Sequence, residues 1–418
     1  MTLTALEEYG PQMAQCVRCG SCQAHCPVYL ETCREGSVAR GKIALAASLL
    51  AGGVGLEERL GKETSLCLLC GSCVTKCPNQ VPTDRIVAAL RRRITADQGL
   101  SPLGKGVAAL TSSPSLLRGL VKGAGLLSPL LFRKIPETSG LRLRFSPASL
   151  KDRTLPPLPD HHLLERVPEL LGGETDKPMV GFFAGCALTY LYPEVGEALV
   201  GVLQTLGYPV FLPRTQGCCG MPALSSGNGP LFAQLAETNV KAFAARKVAA
   251  ILTACASCHG ALAGHYGEKE GNPFAAPIVD IHLFLQQQGV FDRLAALPKG
   301  GQRIRVTYHD PCHLRTQGIT QAPRDLLRAL PQVEFIEMAD AARCCGLGGT
   351  FAAVHPNLSR AIGDRKLAGL TASGATIIAS GCPGCVMQLQ DIINRAGLPV
   401  KAVHTLELLH QAMTEQPY

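Results

Sequence analysis

The residues here that could do chemistry are nineteen cysteines, and their spacing sorts them. Cys16, Cys19, Cys22 and Cys26 recur at Cys67, Cys70, Cys73 and Cys77, each displaced by 51 positions. Both runs read Cys-x-x-Cys-x-x-Cys-x-x-x-Cys and close on proline, at Pro27 and Pro78. Three thiolates at two-residue gaps wrap one corner of a [4Fe–4S] cubane, while a fourth, set off by proline, points away to the other cluster. The spacing therefore assigns Cys16, Cys19, Cys22 and Cys77 to one cluster, and Cys67, Cys70, Cys73 and Cys26 to a second. Structural zinc also takes Cys-x-x-Cys pairs. Four equally ordered thiols, a trailing proline and duplication of the whole run weigh against it. Gly20 and Gly71 lie inside the loops, where the backbone must pass close to sulfide.

A second repeat uses ten more cysteines. Cys186, Cys218 and Cys219 recur at Cys312, Cys344 and Cys345, displaced by 126; Cys255 and Cys258 recur at Cys382 and Cys385, displaced by 127. One inserted residue in such a period is what a duplicated domain shows. Adjacent cysteines cannot both sit comfortably on one iron of an ordinary cubane, so the pair suggests a bridging thiolate or a second metal centre. A zinc site, or an ordinary cubane using four of the five, is the alternative. Cys33 falls outside both repeats and reads as a small buried apolar residue. His25 reads as an exposed loop residue. His259, His309 and His313 flank ligand cysteines and read as loop histidines bonded to backbone, the alternative being a ligand or proton donor.

The elements that must position these cysteines follow from hydrophobic periodicity. Residues 1–98 form a small cysteine-rich module with helices over 38–50 and 84–94. Residues 99–177 are rich in Gly, Pro, Ser and Leu and read as a linker with short helices. Residues 178–298 and 299–418 each run through one pattern: a strand (179–183; 304–308) into the first cysteine, a helix (193–206; 322–330), a strand (209–212; 333–337), Cys-Cys-Gly, a helix (231–246; 358–370), and a strand (250–253; 376–379) into Cys-x-x-Cys. Such alternation argues βαβ units and a parallel sheet. The cysteines fall just after strands, where open α/β sheets place their ligands. The fold class is α+β: a helical two-cluster module, then two duplicated α/β domains.

Composition bounds the rest. A chain of 418 residues with 46% hydrophobic and 17% charged residues buries a sizeable core, which excludes wholesale disorder. The N-terminus has neither a basic nor an apolar segment of a signal peptide, so the expected compartment is the cytoplasm, with reduced thiols. The most apolar uncharged stretch, 106–117, is interrupted by Pro114 and falls short of the roughly 20 residues a membrane span needs. The net charge is +8, yet residues 85–153 hold thirteen Lys and Arg against Asp97, Glu137 and Asp152. With no Trp and 5% aromatics the stacking platform of a single-strand binder is missing, so nucleic acid is not expected. The basic stretch, with Leu116, Leu117, Leu120, Leu126 and Leu127 among Arg118, Lys122, Arg133 and Lys134, reads as a partner-facing segment or a peripheral contact with the inner face of the cytoplasmic membrane. Gly346-x-Gly348-Gly349 is wrongly spaced for a dinucleotide fingerprint, and no Walker loop or nucleophile elbow is present.

GCCGMPALSSG with CASCHG, and CCGLGGTF with GCPGCVMQ, resemble the cysteine-rich domain of iron–sulfur oxidoreductases. That group includes heterodisulfide reductase catalytic subunits, subunits of succinate:quinone reductase and of anaerobic glycerol-3-phosphate dehydrogenase, and the iron–sulfur subunits of glycolate oxidase and lactate dehydrogenases. Two ferredoxin motifs followed by two such domains is similar to the glycolate and lactate type over nearly the whole chain, and VTYHDPCHL resembles that type most. The resemblance implies a cluster in each cysteine-rich domain, non-cubane in heterodisulfide reductase relatives. Its ligands would be Cys186, Cys218, Cys219, Cys255 and Cys258, then Cys312, Cys344, Cys345, Cys382 and Cys385; zinc in one of the two is the alternative.

No flavin or nicotinamide motif occurs, so the expected role is a conduit: the iron–sulfur subunit of a glycolate or D-lactate dehydrogenase complex. It would take electrons from an FAD-containing 2-hydroxyacid dehydrogenase subunit and pass them to a quinone or another carrier. A subunit that itself reduces a disulfide or quinone at a Cys-Cys-Gly cluster, as in heterodisulfide reductase, is the alternative.

Overall fold

The computed structural model describes residues 2–126, 132–135, 140–144, 153–172, 175–297 and 303–414. Twelve strands are numbered in chain order. A small antiparallel sheet holds β1 (Phe132–Ile135), β2 (Gly140–Leu143) and β3 (Thr154–Leu155). A five-stranded sheet holds β4 (Leu170–Leu171), β5 (Val180–Phe182), β6 (Val210–Phe211), β7 (Ile251–Thr253) and β8 (Ile278–Asp280), in the order β4-β6-β5-β7-β8. A four-stranded sheet holds β9 (Ile304–His309), β10 (Val333–Phe335), β11 (Ile377–Ser380) and β12 (Lys401–His404), in the order β10-β9-β11-β12.

The two larger sheets are one pattern used twice. Each places its second strand, first, third and fourth side by side, all parallel, with β4 added antiparallel on the edge of the first. Strands covered on both faces read as unbroken apolar runs, and β5, β7 and β11 are buried throughout. Helices cover the faces. In Pro193–Thr205, proline opens the first turn and Val195, Ala198, Leu199, Val202 and Leu203 form the buried stripe.

One apolar cluster joins the two halves behind the sheets, with Leu199, Leu203 and Leu252 from the first meeting Val306, Leu326, Val403 and Leu409 from the second, and another brings Phe183 and Leu224 together with Leu314 and Ile378. The C-terminal helix Thr405–Thr414 lies so close on Pro193–Thr205 that a Cβ at Gly201 would stand 2.6 Å from His410 Nε2. The carboxyl ends of the sheets are thereby turned toward each other. His404 Nε2 is 2.9 Å from the Ala254 carbonyl, and His282 Nε2 is 2.6 Å from Thr405 Oγ1.

The N-terminal module packs helices Ala39–Leu50 and Thr83–Gln98 through Ile43, Ala46, Ile86, Ala89, Leu90 and Ile94. It is pressed onto both α/β halves, and Arg85 donates to the Gly264 carbonyl of the first at 3.1 Å. A Cβ on Gly71 would collide with the Thr316 side chain, and one on Gly348 with that of Leu68. Arg91 ties the seam with the first half: its guanidinium donates across it to the Ser225 carbonyl (2.8 Å) and, within the module, to the carbonyls of Thr64 (2.9 Å), Ser65 (3.2 Å) and Cys67 (2.7 Å).

Residues 99–177 differ from the expected linker of short helices. Helices Pro102–Ser112 and Pro114–Leu126 are present, but the stretch also forms the β1–β3 sheet and the β4 edge strand. Thr154 N donates to Asp391 Oδ1 at 2.7 Å, and Arg153 to Gln388 at 2.6 Å, which straps β3 onto helix Pro383–Ala396. Leu116 and Leu120 face outward at 44% and 50% exposure, and Lys122 pairs with Glu165 at 3.3 Å. Leu127, and the side chains of Leu126 and Lys134, lie outside the described residues. No helix among the described residues is long and apolar enough to cross a membrane.

Replacing Arg91 with Ala strands one carbonyl across that seam and three inside the module, and each hydrogen bond to a charged group contributes about 1.5–3 kcal/mol. The expected outcome is a loss of about 3 kcal/mol, read as a lower thermal midpoint and faster bleaching of visible absorbance in anaerobic protein. An unchanged midpoint would show that Arg91 does not hold the seam.

Candidate metal centres

The duplicated cysteine runs fold alike down to the backbone. Arg18 and Leu69, and two residues on Gly20 and Gly71, all carry positive φ, and each pair leads into a one-turn helix, Ser21–His25 or Ser72–Thr75. Cys16, Cys19, Cys22 and Cys77 line one small cavity; Cys26, Cys67, Cys70 and Cys73 line another, with Cys73 also touching the first. The structure thus brings Cys77 to the first trio and Cys26 to the second. Burial pushes the Cys26 and Cys70 thiols up to about 11 each, so holding them as thiolates requires compensating positive charge. Lys42 supplies some of it. Its buried ammonium donates to the carbonyls of Gly36 and Ser37 beside Cys26 and Cys67.

In the α/β halves the five cysteines of each set also converge. Cys186 Sγ is 3.6 Å from Cys218 Sγ, and Cys345 Sγ is 3.7 Å from Cys385 Sγ. The second cysteine of each vicinal pair sits at the centre: Cys219 receives thiol hydrogens from Cys218 and Cys258, which lowers it to about 5, and Cys345 is lowered by Cys344 and Cys385. Gly220 and Gly346 close the two loops with φ of +82° and +90°. A Cβ there would stand 2.7 Å from Phe232 or 2.5 Å from the Ser359 carbonyl, so only glycine fits both the turn and the space.

These sets form one file of sulfur. Cys70 of the second cavity faces Cys312 and Cys344. Cys312 contacts Cys344, Cys345 leads to Cys385 and on to Cys382, and Cys382 meets Cys255 of the other half. From Cys255 the file runs through Cys258 and Cys219 to Cys218 and Cys186. At its other end Cys19 is exposed, beside Val17 at 68% exposure. An all-thiolate donor set, soft and mostly shielded from water, suits iron–sulfur clusters.

Three side chains depart from expectation. Cys33 is exposed, in a left-handed conformation that ends helix Tyr29–Thr32, instead of a buried apolar position. His309 and His259 are 1% and 5% exposed with no hydrogen-bond partner for Nδ1, instead of loop residues bonded to backbone. His313 Nδ1 lies 3.3 Å from Ser257 Oγ across the two halves, and His25 is exposed. Of these, the approach of His309 to Cys345 and Cys385 had no signal beyond its place three residues before Cys312.

Residues 180–263 and 306–390 match the family described as "Cysteine-rich domain", and residues 12–81 match "4Fe-4S dicluster domain". The chain is 31% identical to the probable glycolate oxidase iron–sulfur subunit of Bacillus subtilis, covering 96% of this chain and 94% of that protein. It is 26% identical to a dihydromethanophenazine:CoB–CoM heterodisulfide reductase subunit from Methanosarcina acetivorans, over 96% and 94% of the two chains. Lactate utilization protein A of an Exiguobacterium species is 29% identical over 57% of this chain and 99% of that one.

Cys70→Ser removes a thiolate from the middle of the sulfur file and should cost about four irons per chain, since a hydroxyl is a poor partner for a soft cluster iron. Cys33→Ala should leave the iron content unchanged. Iron analysis of anaerobic protein separates the two, and iron loss in the Cys33 variant would contradict the placement of that residue outside the centres.

Proposed function

The chain belongs to the family of iron–sulfur subunits of glycolate-oxidase type, and from that premise we propose which partner it serves and in what order its centres stand. It is an electron-transfer subunit of an oxidoreductase. The partner in this reading is an FAD-containing dehydrogenase of glycolate or D-lactate, with a quinone or another carrier as acceptor. The single observation that carries the order is the run of sulfur contacts from Cys70 to Cys186, to which the cavity of Cys16, Cys19, Cys22 and Cys77 is joined through Cys73.

The residues divide into four donor sets: Cys16, Cys19, Cys22 and Cys77; Cys26, Cys67, Cys70 and Cys73; Cys312, Cys344, Cys345, Cys382 and Cys385; Cys255, Cys258, Cys219, Cys218 and Cys186. They lie in domains proposed at 1–98, 299–418 and 178–298, with 99–177 strapped across the outside. When bound, the clusters supply one-electron carriers that link a two-electron flavin to the acceptor. The protein's own part is placement. The Gly71–Ser72 turn sits against Thr316, and Arg315 donates to Ser72 Oγ at 2.7 Å, so the second donor set is held against the third by packing and a hydrogen bond. Cys255 against Cys382 then joins the third set to the fourth.

A second reading has an observation of its own. The two cysteine-rich sites face each other, with Ser257 Oγ 4.0 Å from Cys382 Sγ, as a site for splitting a disulfide between two centres would require. Expression with a flavoprotein partner separates the readings. The expected result is a stable complex in which 2-hydroxyacid reduces the chain's visible chromophores, while the isolated chain shows no disulfide reductase activity with a chemical reductant. Rapid disulfide reduction by the isolated chain, with no hydroxyacid-driven bleaching in the complex, would overturn the leading reading.

The outward Leu116 and Leu120 beside Arg118 and Lys122 support a peripheral contact for helix Pro114–Leu126, at the flavoprotein or the anionic inner leaflet. Sedimentation with anionic vesicles at low and high salt distinguishes the two. Each cation at the surface contributes about 1 kcal/mol. Salt-sensitive binding lost on replacing Arg118 and Lys122 with Gln supports the membrane, and no binding at low salt leaves the partner.

A further inference from the structure

The two cysteine-rich halves share their strands, helices and thiols, but not every side chain that walls the site. Three residues before the first cysteine of each set the sequence has Phe183 in one half and His309 in the other. Both are fully buried. Phe183 lies among apolar neighbours and close to Gly185, itself packed on Cys258. His309 ends β9 in register with Ser380 of β11, and Ser380 Oγ donates to its carbonyl at 3.2 Å. That bond fixes the backbone and leaves the ring facing the thiols. A ring nitrogen of His309 and the sulfurs of Cys345 and Cys385 all lie within 4.8 Å of one another. Its Nδ1 has no hydrogen-bond partner although it is buried. An orphaned nitrogen in that position has given up water without return, unless a metal or its sulfide takes the lone pair or the proton.

A second exchange works in the same direction. Asn239 and Lys366 lie on the helices that follow Cys-Cys-Gly in the first and the second half, Gly229–Ala244 and Pro356–Ser373. Asn239 Nδ2 donates to the Cys218 carbonyl at 2.9 Å and to Tyr266 Oη at 3.1 Å, while its Oδ1 accepts from Gly217 N at 2.8 Å. Lys366 is 2% exposed and donates to the carbonyls of Asp340 and Ala341 at 3.0 and 3.1 Å, its charge acting on Cys345, Cys344 and Cys385. One site is walled by a ring without donors and a neutral amide. The other is walled by an imidazole and an ammonium.

We propose that the His309 imidazole is a nitrogen donor to the metal centre of the second cysteine-rich site, beside Cys345 and Cys385, and that the first site has no counterpart. The inference rests on the reading above that this site holds a metal centre. Both sites keep all five cysteines, so the ammonium close to the second, with a neutral imidazole where the first has Phe183, favours the reduced state there. The second site is then the higher-potential member of the pair, next in line to Cys70. His259 is the natural control: it too is buried with an unpartnered Nδ1, but among the described residues it forms no such group with two thiols.

The test is pulsed EPR on anaerobic full-length protein labelled with ¹⁵N-histidine. The expected result is a hyperfine coupling of the size of directly bonded nitrogen in wild type and His259→Phe, absent in His309→Phe. His309→Cys, which restores a donor, should keep the iron, lose the coupling and lower the midpoint potential of one centre. Full iron with only weak couplings, or a coupling that survives in His309→Phe, overturns the role of His309 and leaves the cluster reading intact. Iron near the roughly eight expected for two cubanes alone would instead defeat the cluster reading. In that case zinc-edge absorption decides His309: a shell with one nitrogen supports it, and an all-sulfur shell overturns it.

Discussion

Sulfur atoms packed within 4 Å of one another in a dry interior cannot all be thiolates unless positive charge stands among them. The contacts Cys186–Cys218 and Cys345–Cys385 impose that constraint directly. To ligate metal as thiolates each group of cysteines would need that charge, and the buried Lys42 and Lys366 ammoniums are too few to supply it to four groups, so the metal itself would bring it. The loops that carry the cysteines are short turns between strand and helix, with left-handed residues at fixed places.

Around that constraint the fold does two things. Each α/β half sends its cysteines to the carboxyl edge of a parallel sheet, the place such sheets leave open for ligands. The shared apolar cluster and the C-terminal helix then turn the two edges toward each other, so that Cys255 and Cys382 meet although 127 residues apart. The N-terminal module completes the file by presenting Cys70 rather than a cysteine of its outer set. Cys19 and Val17 of the outer set are exposed.

Much of this was legible as arithmetic on cysteine positions. Displacements of 51 and of 126 to 127 revealed both duplications, and the helices at 39–50, 83–98 and 193–205 followed from their apolar stripes. The β1–β3 sheet was not legible. Its strands are short, lie among glycine and proline, and gain their stability from Asp391 and Gln388 on a distant helix instead of from a local pattern. Cys33 misled because its residue type favours burial, whereas a left-handed helix end exposes it. The difference between His309 and Phe183 was present in the sequence but meaningless until the sheets aligned them. The meeting of the two halves through Cys255 and Cys382 carries no sequence signal, since it depends on how two domains pack.

The central claim is that four donor sets form one contiguous electron path in the order of the sulfur file. Stepwise anaerobic reduction followed by EPR tests it most directly. The account predicts that the signal of each centre broadens as its neighbour in the file takes up an electron, and that the signal of the second cubane is the one altered when the adjacent cysteine-rich site is reduced. Narrow signals that add without interaction at every stage of reduction would contradict it.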